Sequence, residues 1–131
     1  MIFKRKEGFR FKFDEPIQTT FSIVENGEAL AGEKAIAQII DISPKGIKMF
    51  SDVIVGKNEV INPQLELQFV LDTRSIHVYG EIMWSRPFGK GRQYGVFFHN
   101  QAVVEELIIE ELKLRRKKET QNLAKKDIRT I

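Results

Sequence analysis

Phe9, Phe11 and Phe13 alternate with Arg10 and Lys12, a period of two that starts a β-strand. Pro16 interrupts the alternation, and a second extended stretch from Ile17 to Val24 runs into Glu25-Asn26-Gly27-Glu28, where Asn-Gly signals a tight hairpin. Residues 34–42 predict the next strand and Ile47 to Phe50 another, with Asp41-Ile42-Ser43-Pro44-Lys45-Gly46 as the turn between them. The turn reading has a local cause: Asp and Ser side chains bond nearby backbone, Pro44 presets φ, and Gly46 accepts a positive φ. Residues 58–63 predict a loop. Leu65, Leu67, Phe69 and Leu71 form a strand, Asp72-Thr73-Arg74-Ser75 turns the chain, and Ile76 to Ser85 returns as a hairpin. Residues 86–93 predict a glycine-bearing loop before a last, aromatic strand at Tyr94 to Phe98.

The pattern changes at Asn100, a helix N-cap by its chemistry. Val104, Ile108 and Leu112 then recur at four-residue spacing, with Val103, Leu107 and Leu114 alongside. Glu105, Glu106, Glu110 and Glu111 precede Lys113, Arg115, Arg116, Lys117 and Lys118, an order that suits the helix dipole. The apolar stripe fades after Leu114. These signs predict one domain over 1–131: a flexible basic segment at 1–10, a barrel at 11–99, a helix at 101–120 and a basic tail at 121–131. The expected fold class is mainly β, a six-stranded antiparallel β-barrel with a C-terminal α-helix, since closure removes the edge strands that invite aggregation.

Composition narrows the function classes. The 131 residues include no cysteine, which removes disulfides, thiolate catalysis and cysteine-based zinc sites, and agrees with a reducing, cytoplasmic setting. No run approaches the roughly 18 apolar residues of a membrane span, so membrane insertion is not expected. The net charge is +3, yet residues 113–131 carry eight Lys and Arg against Glu119 and Asp127. A nucleic-acid footprint would spread basic residues over the folded body, and nucleic acid is therefore not the expected partner. His77 and His99 lie too far apart for a recognised metal spacing, Ser43 lacks the context of a nucleophile elbow, and the glycines at 89, 91 and 95 do not precede a helix. An enzyme is not expected, nor a cofactor. Trp84 reads equally as a stacking surface or a packed position.

Two elements remain unusual in composition: the arginine-bearing segment before the first strand, and the Asp41–Gly46 turn. Together they suit a planar, dianionic ligand. Guanidinium groups fork onto phosphate and stack on purines, a carboxylate accepts from guanine N–H donors, and a hydroxyl or a bare glycine N–H meets a phosphate or base edge.

Taken in order, these features resemble the PilZ domain, a bacterial receptor module for cyclic di-GMP. That family carries RxxxR in a flexible segment leading into a six-stranded barrel, followed by [D/N]xSxxG on the barrel surface. Asp41, Ser43 and Gly46 match every defined position of the second motif, thirty-one positions on from Arg10. Residues 80–98, GEIMWSRPFGKGRQYGVFF, are similar to the family's closing hairpin. Counting back from Arg10 by the motif spacing lands on Lys6, so the first motif reads KxxxR, with Arg5 one place out of register. The resemblance implies that Arg10 clasps a guanine or phosphate, that Arg5 or Lys6 completes the clamp, that Asp41 accepts from a guanine edge, and that Ser43 and Gly46 line the barrel side. It implies a non-catalytic receptor that orders its N-terminal segment on binding and regulates a protein partner in motility, biofilm or exopolysaccharide output. The alternative it carries is a protein-interaction adaptor that does not bind the nucleotide. The stripe Val104, Ile108, Leu112 offers a surface for self-association or partner contact.

Overall fold

The computed structural model describes residues 10–25, 28–29, 34–53, 63–99 and 101–130. Phe9, the Asn26-Gly27 pair, Asn100 and all of the expected loop at 58–63 except Pro63 lie outside them. The strands are β1 (Phe11–Glu25), β2 (Glu28–Ala29), β3 (Ala35–Ser43), β4 (Gly46–Ser51), β5 (Gln64–Val70), β6 (Ser75–Phe88) and β7 (Gly91–Phe97), followed by helix α1 (Ala102–Thr130). All pairings are antiparallel, and the order β1-β3-β4-β7-β6-β5 closes on itself through β1 and β5. Six strands thus form a ring, with β2 folded back on the end of β1. Val24 pairs with Ala29 and Glu25 with Glu28, the hairpin that Asn-Gly announces.

Two local expectations change. Pro16 does not end a strand: β1 runs on from Phe11 to Glu25, and the register slips between Lys12 and Ile17, so the residue without an N–H falls in the irregular stretch of the ladder. The glycine-bearing loop expected at 86–93 contracts to Gly89 and Lys90, because Arg86, Pro87 and Phe88 pair with Gln93, Arg92 and Gly91. Gly89 takes a φ of 55°, the left-handed conformation that such a two-residue turn asks of its first position.

The core is the interior of the ring, where Phe13, Phe21, Ile39, Ile42, Met49, Leu67, Val78, Tyr94 and Phe98 are buried together. Helix α1 continues past residue 120 as far as Thr130. Its first turns set Ile108 and Leu112 into the core with Val104 and Leu107 beside them. At about 1.5–3 kcal/mol for each fully buried large aliphatic side chain, that contact dominates over helix propensity in holding α1. The stripe expected to serve self-association is therefore used inside the molecule.

A second anchor comes from Glu111, whose side chain is fully buried although the sequence reads it as one more surface acid. Its Oε1 accepts the backbone N–H groups of Asp72 (3.2 Å), Thr73 (2.9 Å) and Arg74 (2.9 Å), and Arg74 Nε donates to Oε2 at 3.1 Å. Burial pushes this carboxyl up, but the backbone donors and the guanidinium together outweigh it and hold it below the usual carboxylate value. The turn between β5 and β6 is thus capped by a helix side chain. Lys118 adds an ion pair to Asp72 at 3.0 Å.

Candidate functional site

Strand alternation alone would point Asp41 inward. Ala37 and Ile39 face the core, and the next residue on that face would be Asp41. Ile39 pairs with Met49, however, and Asp41 pairs with the adjacent Lys48, so Ile40 is an extra residue in the ladder. The bulge shifts the phase: Ile42 takes the inward position opposite Ile47, and Asp41 turns to the outer face beside Lys48.

The same device acts on β6. Ile82 pairs with Val96 and Trp84 with the adjacent Gly95, so Met83 is the extra residue and Trp84 is turned outward, 43% exposed. The indole lies across Gly95, where a β-carbon would collide with its Nε1 and Cε2 atoms. The Arg86 guanidinium carbon stands 5.3 Å from the ring centroid, a cation–π distance. Trp84 is thus partly exposed and at the same time packed on Gly95.

Two bulges on non-adjacent strands therefore aim an acid and an indole at the same outer cleft. The cleft has a volume of about 510 Å³; Arg10, Asp41, Lys48 and Lys45 supply its charge, and Trp84 and Met83 supply an apolar side. Arg10 reaches Asp41 through Nε at 2.9 Å and through a terminal nitrogen at 2.7 Å, both to Oδ1. Lys48 Nζ stands 3.5 Å from Oδ2. Arg10 is half exposed, so the pair is worth about 0–1 kcal/mol and an incoming ligand can displace it.

The turn at 43–46 is held from within. Ser43, 3% exposed, accepts the Lys45 N–H at 3.2 Å and its hydroxyl lies 3.4 Å from the Gly46 carbonyl. Gly46 pairs with Phe97, and a β-carbon there would collide with the Val96 carbonyl oxygen. Glycine is thus required by the close approach of β7, while the positive φ allowed for it in the sequence is not used. Ser43 shapes the turn more than it faces the cleft.

Four of the six expected site residues, Arg10, Asp41, Ser43 and Gly46, line this one cleft; Arg5 and Lys6 lie outside the described residues. Sequence reasoning passed over Lys48, and the signal was available: counting outward from a two-residue turn pairs Ser43 with Gly46, Ile42 with Ile47 and Asp41 with Lys48. His77 pairs with Glu66 at 2.8 Å and His99 pairs with Glu81. Among the described residues no cluster of His, Asp and Glu could hold a metal ion.

A motif acid, a motif arginine and a close-approach glycine assembled on a closed six-stranded ring decide the relationship, and comparison with known proteins agrees. The PilZ domain family matches residues 4–114. The chain belongs to the PilZ domain family. Solved structures that resemble this PilZ domain include the crystal structure of the PilZ domain of CeSA from a cellulose-synthesizing bacterium, with a TM-score of 0.56 and 14% identity. The likeness covers 80% of this chain and 95% of that one, and at that identity it speaks for the fold. Among curated proteins none matches the chain. No helix among the described residues is long and apolar enough to cross a membrane.

Proposed function

We propose that this PilZ domain is a non-catalytic receptor for cyclic di-GMP that passes the signal to a protein partner, in keeping with the usual outputs of such receptors: motility, biofilm and exopolysaccharide. The observation that carries the reading is the meeting of Arg10, Asp41, Lys48 and Trp84 in one cleft. A cyclic dinucleotide is a dianion carrying two planar bases, and the cleft offers it an indole face, cations for its phosphates and a carboxylate for guanine N–H donors. Arg10 leaves Asp41 for a base or phosphate, and Arg5 or Lys6 closes over the ligand from the N-terminal side. Ordering that segment costs conformational entropy, which the charge-assisted contacts offset, and the altered surface is what a partner reads.

Isothermal titration with cyclic di-GMP, with GTP and cyclic GMP as controls, tests the reading. Saturable heat restricted to cyclic di-GMP, lost in both Arg10→Ala and Asp41→Ala while their melting curves hold, is the expected result. No heat and no thermal stabilisation at high ligand concentration would leave the adaptor reading in its place.

A further inference from the structure

Lys45 belongs to two structures at once. It lines the cleft with Arg10, Asp41 and Trp84, and its Nζ stands 3.0 Å from Oε2 of Glu105 in the first turns of α1. The Glu105 side chain is 13% exposed, so its carboxylate is shielded by the fold, while the Lys45 stem is half exposed and free to swing. The backbone ties the same two parts together. Lys45 C=O accepts the Phe98 N–H at 2.7 Å, which carries the β4–β7 ladder on to the segment entering the helix. Gln101 then grips Tyr79 like a strand residue, donating to its carbonyl at 2.7 Å and accepting its N–H at 3.2 Å.

Helix α1 is therefore held by contacts of two characters. The second and third turns are fixed by buried Ile108, Leu112 and Glu111. The helix start has only the partly buried Val104 and Leu107 against the core and otherwise rests on polar contacts, one of which uses a cation of the ligand cleft. We propose that Lys45 exchanges Glu105 for a phosphate of the bound cyclic dinucleotide, so that filling the cleft loosens the first turns of α1. The proposal rests on the cyclic di-GMP reading and adds the route by which occupancy reaches the helix. Linkage sets its consequence: whatever the Lys45–Glu105 pair contributes to holding the helix start is subtracted from ligand affinity.

The test is a mutant cycle on the full chain, titrated with cyclic di-GMP. Glu105→Gln frees Lys45 and is expected to bind about twofold to fivefold tighter, the range of a partly exposed ion pair. Lys45→Met is expected to bind more weakly, and Glu105→Gln added to it should give no gain. Glu106→Gln, an exposed neighbour with the same change in charge, should leave affinity unchanged. Amide exchange at Glu105 to Ile108 should quicken on saturation of the native chain and be indifferent to ligand in Lys45→Met. A Glu105→Gln affinity equal to native, or a gain that persists in the Lys45→Met background, overturns the inference while leaving the receptor reading intact. Absence of any binding by the native chain overturns both.

Discussion

The indole of Trp84 lies over Gly95, on the strand beside it, in space that any side chain at 95 would occupy. The bulge at Met83 brings the ring to the outer face and the missing side chain gives it a bed, so platform and cleft are built together.

Gly95→Ala should tip the ring away from the strand and weaken cyclic di-GMP binding, with the barrel retained by circular dichroism. Trp84→Ala should remove the stacking contribution itself, about 1–3 kcal/mol per base. Because Trp84 is the protein's only tryptophan, its emission should change on titration with ligand in the native chain. An emission spectrum indifferent to saturating ligand would place the nucleotide elsewhere.

Lys6→Arg should tighten binding, because an ammonium supplies charge without the fork that a guanidinium offers phosphate. Arg5→Ala in the native background should weaken it if Arg5 serves as the substitute, and should matter less once Lys6→Arg is present. Titration of the four combinations separates the two residues.

Glu111→Ala should lower stability by about 2–4 kcal/mol, since it removes the buried carboxylate that accepts the Thr73 and Arg74 backbone N–H groups and the Arg74 guanidinium. The native carboxyl sits below its ordinary value, so its contribution is fully present above pH about 4.5 and is lost as pH falls through the depressed folded value. Urea unfolding at neutral and acid pH should show the gap between native and variant closing on the acid side.

Ile108→Ala should cost about 2–5 kcal/mol by opening a cavity where the helix meets the core, whereas Val103→Ala, at a position 81% exposed, should stay within about 0.5 kcal/mol. Urea midpoints measure both. The reverse order would mean that α1 turns its other face to the barrel.

Much of this architecture is legible along the chain. The strands from Ile17, Ala35, Leu65 and Ile76 declare themselves by alternation, the turns at 41–46 (which the ladder narrows to Pro44 and Lys45) and 72–75 by their residues, and the helix by its four-residue stripe. These signals are local, set by backbone propensity and by the side-chain period of each element, and local physics suffices for them. The DxSxxG residues are legible for the same reason, since the motif spans a single turn.

The orientation of the site is not local. Asp41 and Trp84 both stand where unbroken alternation would bury them, and each reaches the outer face because one residue, Ile40 or Met83, drops out of register with the neighbouring strand. A bulge leaves no mark on its own strand's composition; it exists only relative to the partner's ladder. Glu111 and Lys45 follow the same rule. Glu111 looks like a solvated charge beside its sequence neighbours and Lys45 like a minor cation of the motif turn, and each finds its partner dozens of residues away, the 72–74 amides for one and Glu105 for the other. Composition and period settle which elements form, because those depend on near neighbours, whereas the aim of a side chain and the partner of a charge depend on strand register and helix docking, which arise only when distant segments pack.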